Sequence, residues 1–139
     1  MTGKAKRMKR SSLPPAHDWR ARDLADWNAT TFAAYLAERH ADMLGIQYVA
    51  GNSVARERAM LKRMIDEYGP DVTRHFIDAC LAEYKPTPQY PGVSFTFMYS
   101  FMRARVLPRV LAEAQRARQT ATQATGLTEE QADEIIGLL

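Results

Sequence analysis

From Asn28 onward, apolar residues recur at steps of three and four, the period of an amphipathic helix. Asn28 suits an N-cap; Phe32, Tyr35, Leu36, His40, Met43 and Leu44 follow, and Gly45 stands where a helix C′ residue would. After a loop over residues 46–51, Asn52 or Ser53 can cap a second helix carrying Val54, Arg58, Leu61, Met64, Ile65 and Tyr68. Gly69 ends that helix, and Pro70 fits the first position of a third. The third runs to Tyr84 with a wide apolar face of Val72, Phe76, Ile77, Cys80, Leu81 and Tyr84, and Asp71 is favourably placed at its N-terminal dipole.

A stiff loop follows, with Pro86, Pro88, Pro91 and Gly92 close together. Beyond it, Val93, Phe95, Phe97, Tyr99 and Phe101 alternate as in a strand, yet Met98 and Met102 fill the other phase and Ser94 can cap a helix. No second run alternates to pair with such a strand, so a buried helix is the favoured reading of residues 93–107. Pro108 is expected to kink that helix or to separate it from an arginine-rich continuation through Arg118. Residues 119–126 read as a polar linker, and Thr128-Glu129-Glu130-Gln131 as the capped start of a terminal helix. The pattern therefore predicts an all-α fold, a compact bundle of about four to five helices over residues 18–118. A flexible basic arm is expected over residues 1–17, and an acidic amphipathic helix over 127–139 is tethered by the linker.

Composition adds bounds rather than identity. The chain has 139 residues, 46% apolar and 25% charged, which suits one modest globular domain with tails. The net charge of +3 says less than its distribution. Lys4, Lys6, Arg7, Lys9, Arg10, Arg20 and Arg22 oppose Asp18 alone in the first 22 residues, whereas Glu129, Glu130, Asp133 and Glu134 close the chain without a cation. A single cysteine, Cys80, cannot form an internal disulfide and fits a reducing compartment. With no membrane-length apolar run and no signal-like h-region after the basic start, a cytoplasmic location is expected and no membrane partner.

Candidate chemistry is sparse. His17, His40, His75 and Cys80 are scattered, without a CxxC or HxxxH spacing, so no metal site is expected. The seven glycines never group into a phosphate-cradling loop, and no nucleophile elbow occurs. Asp66 and Glu67 sit beside Lys62 and Arg63 as ordinary helix decoration. Catalytic residues and cofactors are expected to be none, and the chain is read as a non-enzyme.

The cations are more informative. Arg58, Lys62 and Arg63 on the second helix, Lys85 before the proline loop, and Arg103, Arg105 and Arg109 near the end are candidate phosphate contacts. The arm residues Lys4, Lys6, Arg7, Lys9 and Arg10 add to the same field. Tyr90 or Trp27 could stack on unpaired bases, although Trp19 and Trp27 read more naturally as anchors on the core. The competing reading is a solvated helix face balanced by Glu57, Asp66, Glu67 and Glu113. At the other end, Leu127, Ile135, Ile136, Leu138 and Leu139 can lay an apolar side in a partner's groove or dock on their own domain.

The segment from Tyr84 to Arg103, with Trp27, Phe32, Tyr35, Leu36, His40, Gly45 and Tyr48 before it, resembles one found in small bacteriophage proteins. The resemblance covers roughly residues 26–106. It implies a phage early or replication-region protein, of helicase-loader or DNA-binding accessory type, acting in the bacterial host cytoplasm. It supplies no catalytic residues. The expectation drawn from all this is a DNA replication accessory protein that binds single-stranded or branched DNA and a replication partner. The alternative is a protein–protein adaptor that binds or inhibits a host RNA polymerase or helicase; a virion component fits less well, since no repeat or long heptad run is present.

Overall fold

The computed structural model describes residues 13–125 together with residues 130, 134, 136 and 137, and the regular structure among them is helical throughout. A short 3₁₀ turn, Leu24–Asp26, leads into α1, Ala29–Leu44. Next comes α2, Val54–Glu83. A single turn α3, Phe95–Phe97, a π turn over Met98–Met102, and α4, Arg103–Thr125, then follow without a break.

The capping residues act where the sequence places them. Asn28 Oδ1 accepts from Thr31 N–H at 3.0 Å, and Thr31 Oγ1 accepts from Asn28 N–H at 3.2 Å, a reciprocal capping box. Ser53 Oγ accepts from Arg56 N–H and Ser94 Oγ from Phe97 N–H, each at 3.1 Å. Gly45 ends α1 in the left-handed region at φ 75°.

The described residues form three long rods, the second of them two helices that meet at Gly69, where the sequence ends one helix and begins the next. Residues 54–83 break at Gly69, whose φ of 89° a residue with a Cβ adopts only with strain, but the two halves abut with no loop between them. Thr73 Oγ1 donates to the Gly69 carbonyl at 2.8 Å and ties the second half to the break. Residues 95–125 run on through Pro108, so the helix and its arginine-rich continuation are not separated there. Pro108 and Ala104, whose carbonyl loses its N–H partner, are both exposed, so water is at hand, while Val106, Leu107 and Val110 bury the other side.

The polar stretch read as a linker is also corrected: residues 119–125 extend α4. Its alanines and glutamines are good helix formers, and Thr122 Oγ1 donates to the Arg118 carbonyl at 2.9 Å. Residues 1–12 lie outside the described residues, and with them Lys4, Lys6, Arg7, Lys9 and Arg10. So do Leu127, Ile135, Leu138 and Leu139.

The long α2 packs against both α1 and the third rod. Phe32, Tyr35 and Leu36 of α1 meet Leu61, Met64, Phe76, Ile77 and Cys80 of α2, with Phe95, Met98, Met102, Val106 and Val110 closing the core. Trp27 is buried, and Trp19 packs edge-on to it and to Tyr35 at centroid distances of 5.9 and 4.9 Å. Both tryptophans thus anchor the N-terminal segment, as expected.

Two buried polar groups fasten the loops. His40 faces the Ile46 carbonyl through Nδ1 and accepts the Val93 N–H at Nε2, each at 3.1 Å, which requires the neutral ring with its hydrogen on Nδ1. Gly92 lies so close that a Cβ there would reach His40 Nε2 at 2.9 Å. Glu57, read from the sequence as a surface counter-charge, is buried at 5% exposure. Its carboxylate accepts from Tyr48 Oη and Thr96 Oγ1 at 2.5 Å, Thr96 N–H at 2.9 Å and Gly51 N–H at 3.1 Å. Tyr48 Oη in turn accepts the Phe95 N–H at 2.8 Å. One carboxylate therefore joins α2, the loop after α1 and the first turn of the third rod, where a negative charge suits the helix dipole. Burial and the Glu57 carboxylate hold the Tyr48 hydroxyl protonated far above the usual phenol range.

Candidate nucleic-acid interface

The third rod presents two parallel series of residues four apart. Met98, Met102, Val106 and Val110 are buried, while the series one position earlier, Phe97, Phe101, Arg105 and Arg109, is exposed. In an α-helix a step of four turns through about 400°, so such a row drifts sideways; the wider π turn at Met98–Met102 offsets that drift. The exposed row covers about twelve residue steps, or roughly 18 Å along the axis.

Its first half is aromatic. Phe101 is 73% exposed and Phe97 41%, and their rings lie 5.2 Å apart at a 41° tilt. Tyr84 meets Phe97 edge-on at 6.2 Å, and its hydroxyl donates to the Tyr90 carbonyl at 2.7 Å, so the proline loop is pinned beside the row. The Tyr90 side chain is 64% exposed, and Lys85, next to Tyr84, is exposed as well. Adjacent apolar rings left in water are informative, since a fold gains by burying them.

The second half is cationic and held by one acid. Arg105 Nη1 donates to Glu83 Oε1 at 2.6 Å, and Arg109 Nη2 donates to Glu83 Oε2. Two guanidinium groups share one carboxylate, which leaves a net charge of +1 on this trio. The same arginines pull the thiol of Cys80 down, but burial wins and pushes it up to about 12, so it is no nucleophile near neutral pH.

Among the described residues, the other candidate cations do not join this surface. Arg103 lies about 200° around the helix from Arg105, with its guanidinium 3.9 Å above the Tyr99 ring. Lys62 pairs with Asp66 at 2.7 Å, and Arg63 shares its shallow surface with Asp66 and Glu67. Arg58 borders a small apolar hollow with Leu36, Tyr48 and Leu61 near the other end of α2. The stripe expected from the sequence thus divides: Arg105 and Arg109 remain together on Glu83, and Lys85 is exposed two residues beyond it. Phe97 and Phe101, part of the aromatic run that leads into the arginines, were not named individually as stacking residues; their four-residue step into Arg105 and Arg109 is the signal that singles them out.

Ile136 is half-buried and lines hollows with Asp71, His75 and Ala117 of the chain's own helices. Of the five apolar C-terminal residues proposed to grip a partner, the one described faces its own domain. Among the described residues, no group of three or more His, Cys, Asp or Glu side chains could hold a metal ion, and no helix is long and apolar enough to cross a membrane. No protein-family model, curated protein or solved structure matches the chain.

Proposed function

We propose that this chain is a non-enzymatic accessory protein that binds single-stranded DNA along the Phe97–Phe101–Arg105–Arg109 row. The observation that carries the reading is the pair of adjacent, exposed phenylalanines running into two arginines on one ridge. Every base has a π face, so unpaired bases stack on such rings without regard to sequence, whereas a duplex hides those faces. The guanidinium groups and Lys85 then meet the backbone phosphates. The resemblance to phage replication-region proteins agrees with this chemistry and suggests a helicase-loading or related accessory role. The arm cations Lys4, Lys6, Arg7, Lys9 and Arg10 would add sequence-independent attraction.

Fluorescence anisotropy with a labelled oligothymidylate and a duplex, each at two salt concentrations, tests the reading. The single strand should bind more tightly, with affinity falling as salt rises. Arg105→Glu with Arg109→Glu should weaken binding at least tenfold at low salt and flatten the salt dependence. Equal affinity for the charge-reversed protein would rule the reading out.

A second reading, a protein–protein adaptor, is favoured by the exposed aliphatics Val49, in the loop before α2, and Val54, at its first residue, at 75% and 58%. It predicts a stoichiometric host protein retained from nuclease-treated lysate and lost in Val49→Glu with Val54→Glu.

A further inference from the structure

We infer that Glu83 occupies the place of a backbone phosphate and restrains the affinity of the row for nucleic acid. The inference rests on the single-strand reading and concerns how that site is regulated. Each oxygen of the Glu83 carboxylate takes one guanidinium group, Oε1 from Arg105 and Oε2 from Arg109. A phosphodiester likewise offers two non-bridging oxygens and one negative charge, so it can take the same two donors.

Glu83 is also poorly placed by its own helix. It is the last residue of α2, where the unpaired carbonyls carry partial negative charge and a carboxylate is disfavoured. Among the described residues its ion pairs are to Arg105 and Arg109, across the helix interface. Its side chain is 29% exposed and those of Arg105 and Arg109 are 60% and 46%, so an incoming anion reaches the trio from solvent. Glu83 therefore keeps the two guanidinium groups oriented while no strand is bound, and a phosphate displaces it or competes with it on binding.

The test is Glu83→Gln, which keeps the size and removes the charge. Oligothymidylate binding should tighten about three- to tenfold at low salt, the range for deleting one like charge a few ångströms from the phosphate at a partly screened surface. The gain should vanish at high salt and should shrink when Arg105→Ala is added, since Glu83 then holds Arg109 alone. If Glu83→Gln binds no more tightly than the wild-type chain, or more weakly, Glu83 only positions the arginines and the inference is overturned while the single-strand reading stands. If neither protein binds the oligonucleotide, both fall.

Discussion

Replacing Glu57 with alanine removes the acceptor from four donors at once: the peptide N–H groups of Gly51 and Thr96 and the hydroxyls of Tyr48 and Thr96. Each hydrogen bond to a charged group contributes about 1.5–3 kcal/mol, and a buried polar group left unpaired costs about 1–3 kcal/mol. The sum is an upper bound, because the two hydroxyls can turn and water can enter the space left by the side chain. A loss of about 3–5 kcal/mol remains, a large part of the roughly 5–15 kcal/mol that holds a domain together. Glu57→Gln should cost less, about 1–3 kcal/mol, since one acceptor oxygen survives while the amide faces a donor. Urea unfolding followed by fluorescence of Trp19 and Trp27 measures both, with Glu113→Ala, an exposed acid, expected within about 0.5 kcal/mol of the wild-type chain. A Glu57→Ala protein as stable as the Glu113→Ala control would refute the reasoning.

Two further outcomes follow from the same geometry. Gly69→Ala should destabilise by about 1–2 kcal/mol in urea unfolding, because its φ of 89° is strained for any residue with a Cβ although the surrounding space is open. An unchanged midpoint would mean that the break between the two halves of α2 does not depend on glycine. The thiol of Cys80, pushed up to about 12 by burial, gives a pH dependence of stability. A raised folded-state value means the stability is complete below the ordinary thiol range and falls as pH rises from about 9 towards 12, by up to about 1.4 kcal/mol per pH unit. Cys80→Ala should flatten that decline below pH 10, where Tyr48, with its own raised value, has yet to contribute; an identical slope would contradict the assignment.

Most element boundaries were legible because local chemistry decides them. Asn28, Ser53 and Ser94 cap helices with their own side chains, and Gly45 and Gly69 adopt backbone angles that favour glycine. Pro108 does not separate the helix from its continuation, because a proline on the exposed side leaves its orphan carbonyl near water. Glu57 was illegible. On a helix rich in Arg and Lys it looks like surface decoration, and its partners arrive from residues 48, 51 and 96. The cationic surface was half visible. Arginines are easy to count along a sequence, but which share a face depends on helical phase, and Glu83 pairs with two of them across 22 and 26 residues. The aromatic half of the row hid inside an apparent strand alternation that gave equal weight to buried Phe95 and exposed Phe97 and Phe101.

The most direct test is the oligothymidylate affinity of Phe97→Ala with Phe101→Ala, measured across a salt series. Both rings are exposed and their removal leaves the arginines in place. Stacking contributes about 1–3 kcal/mol per base, so affinity should fall at least tenfold while the slope against salt stays the same. Wild-type affinity in the double variant, or a loss confined to low salt, would contradict a ridge that holds unpaired bases.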